Sequence, residues 1–304
     1  MQSKGKFSHV SEFKLKQEMC EIGRRIWAKG FCAGNEGNHS VRLPNGRFLV
    51  TPTGVSKGFL HPDDICVVDI DGNQLAGKRK RSSEFLMHAH IYRRRPDVNC
   101  VIHSHPPHAT AFAVAGVELP TCVHPEAEVF LGPVPTAKYV TPGDKRLGES
   151  IDPYLDEANT IVLGNHGVVC FDKTLEETYY KLEIVDAYCR ILLLAKEVGQ
   201  IRPLGSEEMK ELLALKARFG MSDPRASADP SKLTCQSDFI SRVGGGDIAT
   251  KGRMATSNGT VPAPQTSGDA ALQQAIGQLI PDNITEAELE QMVQVITDQI
   301  MAAA

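Results

Sequence analysis

Two histidines separated by one residue stand at the end of an apolar run, Val101-Ile102-His103-Ser104-His105. In a β-strand alternate side chains share a face, so both imidazoles would point the same way and could bind one cation. A third neutral imidazole would complete a catalytic zinc-type set that keeps one position open for substrate. His166 is the candidate, because it stands in Leu163-Gly164-Asn165-His166-Gly167, between glycines that let backbone approach closely. An HxH pair by itself equally describes two hydrogen-bonded or surface histidines. His88, His90, His108 and His124 are read as packing or hydrogen-bonding residues around such a centre.

A carboxylate, Glu84, follows two serines at the start of a helical pattern. It could act as an acid/base beside the cation, or simply favour the positive end of the helix. Ser82 and Ser83, with Gly37, Asn38, Thr53 and Gly54, supply small donors and backbone N–H groups of the kind that surround a phosphate; ordinary turns and caps use the same residues. The run Lys78-Arg79-Lys80-Arg81 reads as a solvated edge. No G-x-G-x-x-G follows a strand, so a nicotinamide site is not supported.

These residues need elements to hold them. Apolar residues at helical spacing (Phe13, Leu15, Met19, Ile22, Ile26) predict a helix from Val10 to about Lys29, stopped by Gly30. Short runs separated by Pro44-Asn45-Gly46, Pro52-Thr53-Gly54 and Asp71-Gly72 predict an antiparallel meander. Ser83 to Arg95 is predicted helical and ends at Pro96; the run carrying the HxH pair is a buried strand leading into a helix over Ala109–Ala115. Thr160 to Phe171 is read as one further strand, and Thr174 with Glu177 caps a long helix to Val198.

From Ser222 to Ala270 the chain is dominated by Ser, Gly, Pro, Ala, Thr and Asp, which predicts a flexible linker. The expected organisation is thus a catalytic domain over 1–220, a linker over 221–270 and an amphipathic helical tail over 271–304. In the tail, Leu289, Met292, Val293, Ile296 and Ile300 form an apolar stripe behind a Thr285/Glu288 capping box. So short a helix needs a partner.

At 304 residues, 41% hydrophobic and 23% charged, with net charge -4, the chain reads as globular and argues against a general nucleic-acid or anionic-membrane binder. Its eight cysteines are scattered without a CxxC pair and read as reduced core residues; with no secretory leader and no membrane-length apolar stretch, a cytoplasmic protein is expected.

Taken in order, GNHSVR, TPTGVSKG, RSSEFLMHAHIYRRRPD, VIHSHPPHATAFA and IVLGNHGVV make the chain from about Leu15 to Phe219 resemble the class II aldolase/adducin family, specifically its L-fuculose-phosphate aldolase-like members. The resemblance implies a single three-layer α/β/α domain with a central, mainly antiparallel sheet, and a homotetramer. It implies that His103, His105 and His166 hold Zn2+, that Glu84 completes the resting site and then serves as acid/base, and that Gly37, Asn38, Thr53, Gly54, Ser82 and Ser83 surround the substrate phosphate. The implied reaction splits L-fuculose 1-phosphate or L-rhamnulose 1-phosphate into dihydroxyacetone phosphate and L-lactaldehyde. Related fuculose-phosphate aldolases place a tyrosine just after the histidine matching His124; here Pro125 and Glu126 follow, leaving His124 and Glu126 as candidates for the aldehyde-side proton donor. Family epimerases carry Asp where this chain has Glu84, which leans toward cleavage. A pentulose-phosphate epimerase, a sugar-phosphate dehydratase and a non-catalytic adducin-like scaffold are the other readings. The linker and tail resemble the encapsulation peptides of bacterial microcompartment enzymes, which implies a shell protein as partner for residues 282–304 and a place in the compartment lumen; an oligomerisation helix is the alternative.

Overall fold

The computed structural model describes residues 11–221, 223–227 and 239–240. Helix α1 (Glu12–Ala28) opens behind Ser11, whose side chain accepts from Lys14 N. It buries Leu15, Met19, Ile22 and Ile26, four of the five residues whose spacing predicts it, whereas Phe13 at its first turn is exposed. Gly30 ends it at φ +69°, a conformation that costs glycine little.

The meander follows as β1 (Asn38–Arg42), β2 (Phe48–Val50), β3 (Cys66–Val68) and β4 (Gln74–Ala76). Then come α2 (Phe85–Arg94), β5 (Cys100–Ser104), α3 (Pro107–Ala115), β6 (Thr136–Ala137), α4 (Arg146–Ile151), β7 (Thr160–Leu163), β8 (Gly167–Asp172), α5 (Leu175–Val198) and α6 (Ser206–Arg218). The eight strands form one sheet in the order β4-β3-β2-β1-β5-β8-β7-β6. Each pairing is antiparallel except β6 with β7.

Alternation along the strands sorts the core into two layers. Cys100 and Ile102 of β5, with Val168 and Cys170 of β8, pack under Met19 of α1, Phe112 of α3 and Leu182 of α5. Val101, Val169 and Phe171 face the other way, against Phe85 and Ile91 of α2 and Leu147 and Ile151 of α4. The result is the expected three-layer arrangement, with His103 on the α2 side because it lies two residues from Val101.

Three features differ from expectation. Thr160 to Phe171 is a hairpin rather than one strand: Asn165 sits at φ +53° and His166 N donates to Leu163 O, so the chain reverses there. A continuous apolar run conceals such a reversal, since both arms are buried. Cys122 is disulfide-bonded, a pairing that no local spacing announces, whereas Cys20, Cys32, Cys66, Cys100, Cys170 and Cys189 are buried free thiols. Finally, parts of the stretch read as linker pack on the domain. Asp223 bonds Lys216 Nζ at 2.8 Å, Arg225 bonds Glu128 at 2.7 Å, and Phe239 is buried with its ring 5.1 Å from that of Phe112. Local anchors of this kind are lost when composition is averaged over fifty residues. The rest of the stretch read as linker and the 271–304 tail lie outside the described residues. Among the described residues no helix is long and apolar enough to cross a membrane.

Candidate active site

The β5–β8 pairing sets His103 opposite Val169, and the β1–β5 pairing sets it opposite Asn38. His103 is fully buried, and its Nδ1–H donates to Val168 O at 2.9 Å, so the Nε2 lone pair faces the opposite way. His105 continues from the same strand, its Nε2 3.1 Å from that of His103. The β7–β8 turn brings His166 to both: the ring centroids lie 4.6 Å from His103 and 5.0 Å from His105. The candidate ligand atoms of the three histidines all fall within 4.8 Å of one another.

Gly167 makes this approach feasible. A Cβ there would come within 2.6 Å of both His105 Cδ2 and Ser104 O, and a Cβ on Gly164 would meet Ala137 O at 2.9 Å. The two glycines flanking Asn165-His166 are therefore needed for close contact, as their place in the sequence suggests.

Glu84, at the N-cap of α2, closes the cluster. Its Oε2 lies 3.7 Å from His103 Nε2 and its Oε1 3.5 Å from His166 Nε2. Asn38 Nδ2 donates to Oε2 at 2.8 Å, while Oε1 is buried without a hydrogen-bond partner. Ligand atoms about 2.0–2.1 Å from a shared tetrahedral zinc would stand roughly 3.3 Å apart. The separations of 3.1, 3.5 and 3.7 Å are near that value, within a histidine set whose ligand atoms span up to 4.8 Å, and the buried, unsatisfied carboxylate oxygen is an atom that a cation would satisfy. Three imidazoles and one carboxylate thus fit a divalent cation.

Burial keeps the imidazoles neutral, the form that binds a metal. It pushes His103 down to about 3 and His166 to about 4, the neighbouring rings adding to the effect, and lowers His105 as well. Two further histidines are wholly buried. His39 Nε2–H donates to Met19 O, and His88 Nδ1 is bonded to Ser40 Oγ, itself in contact with Tyr92 Oη. Desolvation lowers His39 from 6.5 to about 3 and His88 well below its usual value. With the folded value depressed, the unfolded chain binds more protons below 6.5, so this stability is present above that pH and is lost progressively as pH falls toward about 3. The thermal midpoint of chelator-treated protein is expected to hold between pH 8 and 7 and to fall steadily below about 6.5. A midpoint unchanged down to pH 4 would contradict buried neutral imidazoles.

The phosphate candidates form two groups. Gly37 turns the chain into β1 at φ +73°, where a Cβ would come 3.0 Å from His103 O; Asn38 follows and grips Glu84. In the second group Pro52 bridges Arg81, Thr53 N–H donates to Lys80 O, and Ser82 N–H donates to Thr51 O. This lacing brings 51–54 beside 80–83. It also consumes two of the amides expected to face an anion, those of Thr53 and Ser82, so these two residues offer their hydroxyls instead. His124 pairs with Glu126 at 3.3 Å and stacks on Tyr188. His90 bonds Asp152, and His108 bonds Asp186, whose other oxygen accepts from the first amides of α3. His90 and His108 thus have supporting hydrogen-bonding roles.

Sequence reasoning missed two charged residues. Glu36 folds its own loop by accepting from the amides of Ala33 and Gly34, and Lys57 lies buried beneath the loop of Thr53 and Gly54. Lys57 sits inside TPTGVSKG and Glu36 stands one residue before GNHSVR, but a lysine that will be buried looks like any other in a sequence.

Residues 17–193 match the model of the class II aldolase and adducin N-terminal domain. The chain belongs to this family. An L-fuculose phosphate aldolase of Methanococcus maripaludis is 33% identical over 180 residues, 59% of this chain and 96% of the relative. A 3-oxo-tetronate 4-phosphate decarboxylase of Escherichia coli is 31% identical over 205 residues, 66% of this chain and 96% of the relative. A solved L-fuculose 1-phosphate aldolase superposes with TM-score 0.64 at 30% identity, covering 70% of this chain and 100% of the other. The class II aldolase match spans Glu84, all three clustered histidines and the six phosphate candidates. Membership supports a lyase, and the histidine cluster agrees with the divalent-metal dependence typical of class II aldolases.

Proposed function

We propose that this class II aldolase family member cleaves a ketose 1-phosphate, L-fuculose 1-phosphate or L-rhamnulose 1-phosphate, to dihydroxyacetone phosphate and L-lactaldehyde, using Zn2+. The observation that carries the reading is the convergence of His103, His105 and His166 with the unsatisfied oxygen of Glu84. A divalent cation held there supplies Lewis-acid stabilisation of the negative charge that develops on the substrate's oxygens as the bond breaks.

The protein's own residues account for the other demands. Glu84 stands within reach of the same centre and transfers the proton at the carbon that loses its bond. Asn38 orients the carboxylate through Oε2, which leaves Oε1 to close the resting cation site and, once substrate takes that place, to carry the proton. The hydroxyls of Thr53, Ser82 and Ser83, with the Gly37–Asn38 turn, bind the phosphate and so place the scissile bond. His124 and Glu126 are the proposed proton donors to the aldehyde oxygen; their tie to each other would hold the imidazole in place.

A second reading, decarboxylation of a 3-oxo sugar-acid phosphate, is favoured by the decarboxylase relative. Either bond cleavage leaves an electron pair beside a carbonyl, so one centre could serve both. We also place the homotetramer in this proposal, together with a catalytic domain over 1–220 on which Asp223, Arg225 and Phe239 of the 221–270 stretch are anchored, and a separate tail over 271–304. A role for 282–304 as an encapsulation peptide that takes the enzyme into a microcompartment lumen rests on its amphipathic pattern.

The test is a metal-replete assay over several 1-phosphoketoses and a 3-oxo-tetronate phosphate, with triose phosphate, aldehyde and carbon dioxide measured. Triose phosphate with an aldehyde is expected, abolished by chelator and restored by zinc. Carbon dioxide would establish the second reading, and isomerised sugar without triose would sink cleavage altogether. The same assay on chain ending at Pro281 is expected to give nearly full activity while co-purification with shell proteins disappears; retained co-purification would refute the targeting role.

A further inference from the structure

Lys57 is 1% exposed, and its ammonium donates not to a carboxylate but to two neutral carbonyls, Asn35 O at 2.7 Å and Val55 O at 2.6 Å. Those carbonyls belong to different loops. Asn35 lies in the loop that Glu36 folds and that ends in Gly37 and Asn38; Val55 follows Thr53 and Gly54 directly. Each loop carries two of the six proposed phosphate residues, and the first also delivers Asn38 to Glu84. A single side chain therefore ties these two parts of the surface together.

We propose that Lys57 is a positioning residue for the anionic end of the substrate: it holds the Gly37–Asn38 loop in register with the Thr53–Gly54 loop and lends its positive charge to a phosphate monoester bound across them. The inference rests on the phosphate reading given under Proposed function. Burying an ammonium without a hydrogen-bonded carboxylate is costly, and a bound dianion offsets that cost. Desolvation lowers Lys57 to about 8, while the carboxylates of Glu36 and Glu84 act in the opposite sense, so it stays largely protonated at neutral pH.

The plain alternative is a staple needed only for folding. Lys57→Met, Lys57→Arg and the Ser82→Ala/Ser83→Ala pair separate the two, using metal-loaded full-length protein and inorganic phosphate as the calorimetric probe. Wild type is expected to bind phosphate, and the serine pair to weaken it, which locates the anion. Lys57→Met is expected to keep its metal content and fold while phosphate affinity drops about tenfold or more, the loss of one charge-assisted interaction. Lys57→Arg should recover part of that affinity, and KM for whichever phosphorylated substrate is turned over should rise with kcat little changed. Should Lys57→Met not fold, Lys57→Gln, which can still donate to one carbonyl, takes its place with the same expectation. Equal phosphate binding by wild type and the Lys57 variants overturns the role of Lys57 alone. Failure of wild type to bind phosphate, or binding that the serine pair leaves unchanged, overturns the phosphate reading and this inference with it. A variant that loses metal and kcat together at unchanged KM marks Lys57 as purely structural.

Discussion

Replacing Glu84 with glutamine is expected to lower kcat by about 10²–10⁴-fold, the range associated with loss of a positioned acid/base. Glutamine has the same length, and its carbonyl oxygen can still accept from Asn38 Nδ2, which now bonds Oε2 at 2.8 Å. What it cannot do is take up and release a proton. The three imidazoles remain, so metal content should change little, and KM should stay within a few-fold because the phosphate donors are untouched. Steady-state kinetics beside metal analysis check this. A Glu84→Gln enzyme with near-normal kcat would remove the carboxylate from the chemistry and leave it a structural cap on α2.

Replacing His166 with alanine should have an effect of at least the same size by another route. Outer residues that merely orient metal ligands are worth about 10–100-fold in affinity. Loss of one of three direct imidazole ligands should exceed that, with activity falling in parallel and partly recovering at high metal concentration. In metal-free protein the expectation reverses. His105 Nε2–H can donate to the Nε2 lone pair of His103 at 3.1 Å without help from His166, while His166 Nδ1 and Glu84 Oε1 are buried without partners. Removing one ring should therefore leave the thermal midpoint of the apo chain nearly unchanged. A variant that keeps its metal but unfolds more readily would show that His166 serves packing instead.

The parts of this picture legible in the sequence are those set by short-range periodicity. The two-residue spacing of His103 and His105 placed both on one side of β5, and the stripe of Leu15, Met19, Ile22 and Ile26 marked the buried face of α1. The glycines around His166 marked a close approach, which Gly167 makes against Ser104 and His105. Long-range partners were not legible. The β7–β8 hairpin hid inside one apolar run because both arms are buried, and Asn165 alone carries the reversal. The amides of Thr53 and Ser82 looked available to an anion, yet the bridge between Pro52 and Arg81 draws them into backbone bonds. Asp223, Arg225 and Phe239 were masked by a polar, small-residue background, although each has a buried partner on the domain. In each case the missing information is which distant residue satisfies a group, and no local pattern encodes that.

The account rests on three imidazoles sharing one divalent cation, and X-ray absorption spectroscopy of zinc-loaded protein reads that arrangement directly. The expected spectrum has three imidazole nitrogens and oxygen-type ligands at about 2.0–2.1 Å, and in His166→Ala the imidazole contribution falls to two. A sulfur shell at about 2.3 Å, or an imidazole count unchanged in His166→Ala, would place the metal elsewhere and contradict the proposed centre.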